Sequence, residues 1–127
     1  MHQHTLAELS RLLDKKEISS EELTGLYLHR AEEYQSQINC YITTTPEQAL
    51  EQARAADDQI GKKEHGPLTG IPIVHKDIFC TDGTRTSCGS KMLDNFISPY
   101  NATVVEKLNQ AGMVSLGKAN MDEFAMG

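Results

Sequence analysis

The sequence predicts an α/β fold, a mixed sheet covered by helices, on three observations. Ser19-Ser20-Glu21-Glu22 opens a long amphipathic helical pattern, Ile71 to Phe79 forms a short strand-like run, and Asn101 to Gly117 reads as helix, turn and strand in succession. A strand followed by a helix and a second apolar strand makes a β-α-β crossover, which buries its sheet under helices.

Each element has a local cause. Thr5 is a candidate N-cap for a helix over 5–16 that carries Leu6, Leu9, Leu12 and Leu13 on one side and closes at Lys15 and Lys16, where positive charge suits a helix C-terminus. Ser19, with Glu22 three positions on, forms a capping box for a longer helix over 20–37 bearing Leu23, Leu26, Tyr27, Ala31 and Tyr34. The strand-forming residues of 39–44 come next, and Pro46 then opens a helix over 46–60 with Ala49, Leu50, Ala53, Ala56 and Ile60 inward. Gly61 to Gly66 is a polar connector, and the strand over 71–79 must pack against what precedes it. Val104, Val105 and Leu108 place a helix over 102–111, Gly112 is a C-cap candidate, and 113–117 reads as a buried strand.

Composition narrows the class. With 127 residues the chain holds one domain or a piece of one, and 39% hydrophobic with 24% charged residues is a globular balance. No apolar run approaches a membrane span, and Met1-His2-Gln3-His4-Thr5 leads into a helix without the regions of a signal peptide, so a cytoplasmic protein without membrane contact is expected. Cys40, Cys80 and Cys88 are odd in number and lack a Cys-x-x-Cys element, which points to reduced thiols and no metal site. A net charge of -6, with acidic residues gathered in Glu21–Glu33 and Glu47–Asp58, argues against a nucleic-acid surface on this segment.

The chemistry-bearing candidate is Lys76, the one lysine inside the apolar run from Ile71 to Phe79. A buried ammonium favours its neutral form, which takes a proton from a hydroxyl. The alternative is a strand-end lysine whose stem covers apolar surface while its head reaches water. Strict alternation turns His75 and Asp77 to the face opposite Lys76, so neither is its partner, and His75 reads as a satisfied polar residue of the sheet. Asp122 and Glu123 read as acids at a helix start. Arg85 reads as a surface loop residue, and Ser87 and Ser90 as turn residues whose hydroxyls bond nearby backbone.

The motifs Gly66–Phe79, Thr81–Ser90, Asn101–Val105, Ala111-Gly112 and Gly117–Gly127, in that order, resemble the amidase signature family closely, and the first 60 residues do so loosely. The Asp122–Gly127 string is most similar to the branch of that family that works in tRNA-dependent amidotransferases. The resemblance implies a Ser-cisSer-Lys catalytic unit with the lysine at Lys76, and burial among Ile73, Val74, Ile78 and neighbouring elements is expected to favour its neutral form. It also implies that the chain is the N-terminal portion of a single amidase domain, with an incomplete sheet. Both serines belong to a Gly-Gly-Ser-Ser-Gly-Gly segment that these 127 residues lack, so the chain alone is expected to be inactive. Met126 and Gly127 match residues near the substrate. Glutamine is the implied substrate, B and C subunits are the implied partners, and charged tRNA is held by the B subunit. This segment is expected to bind no cofactor, with ATP and magnesium on another subunit of the complete complex. The alternatives are a fragment of a general amide hydrolase of the same family and a non-enzymatic folding or assembly fragment. With strands 71–79 and 113–117 deprived of neighbours, self-association is expected.

Overall fold

A computed structural model describes residues Met1–Gly127 as four helices and a three-stranded mixed sheet. Helix α1 (Leu6–Asp14) starts from a full capping box in which Thr5 and Glu8 satisfy each other's backbone amides, and it ends where Lys16 turns left-handed at φ 58°. Helix α2 (Ser20–Ile38) opens on the Ser19–Glu22 capping box and closes on Asn39 at φ 51°, so strand β1 is confined to Tyr41–Thr44. Helix α3 (Pro46–Gly61) has Pro46 in its first turn, where a missing N–H costs nothing. Strand β2 (Pro72–Lys76), helix α4 (Thr103–Gln110) and strand β3 (Val114–Ala119) complete the order, with short 3-10 turns at Lys91–Leu93 and Glu123–Ala125.

The strand order is β1-β3-β2, with β2 parallel and β1 antiparallel to β3. The chain passes from β2 to its parallel neighbour through α4, the crossover that the sequence pattern predicts. The expectation that 113–117 lacks strand neighbours is wrong: β3 is the central strand, paired on both sides and buried over Val114–Lys118. Only β2 and β1 are edges.

Two strand ends differ from the sequence reading for identifiable reasons. β2 stops at Lys76, because the Phe79 amide folds back onto the Lys76 carbonyl at 3.0 Å and starts a turn. β3 continues two residues past Gly117, which is not a terminator but the point where β1 comes closest. A Cβ on Gly117 would lie 2.2 Å from the Thr43 carbonyl oxygen.

Two apolar clusters hold the layers together. Leu9, Leu13, Leu23, Ile60, Ile71 and Met113 join the helices to the start of the sheet, and Ala49, Ala53, Val114 and Leu116 seat α3 on β3. The small alanines let the helix approach the strand closely.

Candidate functional site

The parallel strands β2 and β3 end side by side, with His75 opposite Lys118 and Lys76 opposite Ala119. Ligands of α/β sheets bind outside the carboxyl ends of parallel strands, and the singled-out residues meet at this end. The Asp77 amide extends the pairing by donating to the Ala119 carbonyl at 3.2 Å, and the chain then turns away. From β3 the chain runs into Asn120–Gly127, which lies at the same end.

Lys76 occupies the last position of β2 and is exposed. Within these residues the expected burial is not supplied by Ile73, Val74 and Ile78: the first two are only half-buried and Ile78 is exposed, so these neighbours leave the ammonium open to water. The alternation holds, since His75 and Asp77 are buried on the other face. His75 is nevertheless not satisfied, because its Nε2 is buried without a hydrogen-bond partner. Burial, and then the nearby Lys118 charge, push the His75 imidazole below its ordinary value.

The buried lysine of this chain is Lys118, which sequence reasoning missed. Its position is set by a register slip: Ile73 pairs with Ser115 but Val74 pairs with Gly117, so Leu116 is an extra residue in β3. A one-residue slip exchanges the faces of a strand, and it turns Lys118 to the side of His75 and Asp77. There Lys118 is fully buried, and its Nζ donates to the Phe79 carbonyl at 2.6 Å and to Thr86 Oγ1 at 3.1 Å. Asp77 Oδ1 lies 3.5 Å from the same ammonium, with both side chains at 0% exposure. Burial pushes the Lys118 ammonium below its ordinary value and Asp77 draws it back up.

The other Asp77 oxygen gathers the loop after β2. Oδ2 accepts the Ser87 hydroxyl at 2.5 Å, the Ser87 amide at 3.1 Å and the Gly89 amide at 3.4 Å. The Ser87 hydroxyl therefore serves the carboxylate and not the nearby backbone, whereas Ser90 Oγ accepts the Met92 amide as a turn serine does. A signal for this cluster was present in the sequence. Lys118 closes the apolar run from Met113 just as Lys76 closes the run from Ile71, but reading Gly117 as a strand end placed Lys118 outside the sheet.

Met126 and Gly127 lie in the segment that follows β3. The Gly127 amide donates to Asp122 Oδ2 at 2.6 Å, and the Phe124 amide donates to the Cys88 carbonyl at 2.9 Å, tying the segment to the loop. The Gly127 amide, then the residue's own amide and more weakly the Lys76 charge, hold the Asp122 carboxyl below the usual carboxylate range. Lys76 and Asp122 are thus within electrostatic reach of each other. Phe124 and Ala125 are left-handed at φ 51° and 60°, a conformation that L-residues adopt at a cost, while Met126 is 84% exposed. Asp122 precedes the Glu123–Ala125 turn as its cap residue, but its side chain serves Gly127.

Arg85 is no free surface residue. It donates to Thr43 Oγ1, to the Ile42 carbonyl at 2.9 Å and to Asp94, and so staples the loop to β1. Cys80 and Cys88 are free thiols, and no three His, Cys, Asp or Glu side chains converge on a metal-sized site. Burial, followed by the charge of Asp77, pushes the Cys88 thiol up, the wrong direction for a reactive thiolate.

Comparison with known proteins decides the family, because the model of the amidase family matches residues 22–127. This chain belongs to the amidase family. Over all 127 residues it is 64% identical to the A subunit of the glutamyl-tRNA(Gln) amidotransferase of Methylococcus capsulatus and 65% identical to that of Pseudomonas entomophila, covering 26% of each. The chain thus spans about a quarter of the length of these curated relatives. Among solved amidase structures, the peptide amidase of Stenotrophomonas maltophilia superposes with a TM-score of 0.90 at 32% identity over 96% of this chain and 26% of that one. An amidase family protein of Bacillus anthracis superposes with a TM-score of 0.87 at 36% identity, over 95% of this chain and 25% of that one.

Proposed function

We propose that these residues are the N-terminal portion of a single amidase domain, that of a glutamine-hydrolysing amidotransferase A subunit, and that Lys76 is its general base. The observation that carries this reading is an identity of 64% to 65% along the entire chain to glutamyl-tRNA(Gln) amidotransferase A subunits, against 32% to the peptide amidase. The same contrast sets the general amide hydrolase reading second. Geometry supports the choice of lysine. The Lys118 ammonium donates to Phe79 and Thr86 and lies 3.5 Å from the Asp77 carboxylate, whereas Lys76 stands exposed at the carboxyl ends of the parallel strands.

In this reading the neutral Lys76 amine draws a proton, through one serine in a cis peptide, from a second serine. That oxygen attacks the glutamine side-chain amide, the proton drawn to Lys76 passes on to the departing nitrogen so that ammonia leaves, and water hydrolyses the acyl-enzyme to release glutamate. Both serines lie in the further length of the parent. A lysine base also needs desolvation, and the cover over Lys76 comes from that further length as well. Met126 and Gly127 would border the glutamine site, where a glycine lets backbone approach a ligand closely. The ammonia would serve amidation of Glu-tRNA(Gln) or Asp-tRNA(Asn), a ligase-class reaction, with B and C subunits as partners, the tRNA on the B subunit, and ATP and magnesium on another subunit.

The test is ammonia release from glutamine by the full-length protein and by the 127-residue chain. Lys76→Ala in the full-length protein is expected to lower turnover by about three or more orders of magnitude, as when one member of a catalytic unit is removed. The 127-residue chain is expected to show none. Near-normal turnover of the variant ends the base assignment, and activity of the short chain that Lys76→Ala abolishes ends the serine requirement.

A further inference from the structure

We propose that the buried Asp77–Lys118 pair is a positioning device for Lys76, fixing the backbone that carries it and the loop that follows it. This rests on the reading of Lys76 as the base. Burying two charges is seldom net stabilising, and a well-packed apolar pair of similar size does as well or better. What an ion pair adds is directed contact, and here the contacts go to the turn that begins at Lys76 and to the loop that follows it.

The contacts run in two directions. Lys118 Nζ holds the Phe79 carbonyl at 2.6 Å, and the Phe79 amide closes the turn on the Lys76 carbonyl at 3.0 Å. The turn that begins at Lys76 is thereby anchored at its far end to the central strand. Asp77, next in sequence to Lys76, collects the amides of Ser87 and Gly89 and the Ser87 hydroxyl, while its own carbonyl accepts the Cys88 amide at 3.3 Å. That loop in turn holds the segment before Met126 through Cys88 and Phe124, and a Cβ on Gly89 would meet the Met121 carbonyl oxygen at 2.6 Å. One ion pair therefore links the base, the loop and the C-terminal segment at a single end of the sheet. Lys76 is left out of these internal contacts and keeps its head exposed.

The test uses the full-length protein and glutamine hydrolysis, with Asp77→Asn, Lys118→Met and the double variant. Either single variant leaves a buried charge or polar group without its partner and can fail to fold, whereas the double variant removes both charges. The double variant is expected to unfold cooperatively and to lose about 100-fold in kcat, with KM changed less than about threefold, the signature of a misplaced reacting group. Adding Lys76→Ala to it is expected to bring turnover to the level of Lys76→Ala alone, because both act on one step. Parental kcat in the folded double variant overturns the proposal, as does a loss carried by KM alone. Should Lys76→Ala by itself leave turnover intact, the base reading falls separately. Hydrogen exchange at the Phe79, Ser87 and Gly89 amides then decides the positioning role: exchange faster by about tenfold or more in the folded double variant supports it, and unchanged exchange overturns it.

Discussion

The two lysines at the ends of β2 and β3 should respond unequally to the same substitution. Lys118→Met removes a buried ammonium and leaves the buried Asp77 carboxylate without its counter-charge, while the Phe79 carbonyl and Thr86 Oγ1 lose their donor. Removing one partner of a buried ion pair costs about 3–5 kcal/mol. For 127 residues an unfolding entropy of about 2.1 cal/mol/K per residue totals roughly 0.27 kcal/mol/K, so the thermal midpoint should fall by about 10–20 °C. Lys76→Met alters an exposed side chain and should change stability by less than about 0.5 kcal/mol, or about 2 °C. Thermal unfolding followed by circular dichroism on the three proteins side by side measures the difference. A Lys118→Met midpoint within about 3 °C of the parent, or equal losses from both substitutions, would refute the placement of Lys118 in the interior.

Gly117→Ala should push β1 off the central strand, because its Cβ meets the Thr43 carbonyl oxygen at 2.2 Å and φ is 150°; a loss of about 1–3 kcal/mol or more is expected by denaturant unfolding, and an unchanged midpoint would contradict the register. Exposed Cys40 should be alkylated at neutral pH at least roughly tenfold faster than Cys88, whose thiol is pushed up by burial and by Asp77, and equal rates by mass spectrometry would contradict this. For His75, the folded chain holds the imidazole below its ordinary value, so the unfolded chain binds the proton first as pH falls. Its contribution is present above a pH of about 6.5 and is lost as pH drops below that toward the folded value. The pH profile of the thermal midpoint should flatten on that side in His75→Gln, and parallel profiles would count against the assignment. Finally, Phe79, Phe96, Ile97, Tyr100, Phe124 and Met126 are all exposed, so the 127-residue chain should self-associate. Sedimentation showing a monomer at every concentration, with no binding of a hydrophobic dye, would show that the surface is tolerated as it stands.

Legibility in the sequence followed the range of the interaction involved. Helix starts depend on side chains three residues apart, so Ser19 with Glu22, and Thr5 at α1, could be read directly. The β2 run and the crossover through α4 were legible from apolar pattern and length. What escaped was decided across the sheet. The extra residue at Leu116 is set by the pairing of β3 with β2, a strand about 40 residues earlier, and no local pattern in Met113–Gly117 announces it. That slip moves Lys118 onto the face of Asp77, which is why a reading by strand alternation could place Asp77 away from Lys76 and yet not find its partner. Arg85 escaped for a similar reason, since its acceptors in β1 lie 42 and 43 positions away in sequence.

A single lysine in an apolar strand needs a physical reason, and the fold supplies two lysines under different constraints. On the face covered by the Thr81–Ser98 loop, an ammonium must find its acceptors inside the protein, and Lys118 finds Phe79, Thr86 and Asp77. An amine so engaged has no free lone pair to offer a hydroxyl. On the opposite face Lys76 keeps that freedom, but these residues do not supply the dry surroundings that a lysine base needs. The two requirements conflict for a single lysine, because the acceptors that compensate a buried ammonium also hold it protonated. On the proposal made above, dividing them resolves the conflict: Lys118 and Asp77 carry the charge that fixes the backbone, and Lys76, one residue from Asp77, is positioned without being bound. On the proposed reading of Lys76 as the base, its desolvation is thus a requirement separate from its positioning, and one that the exposed end of β2 does not itself meet.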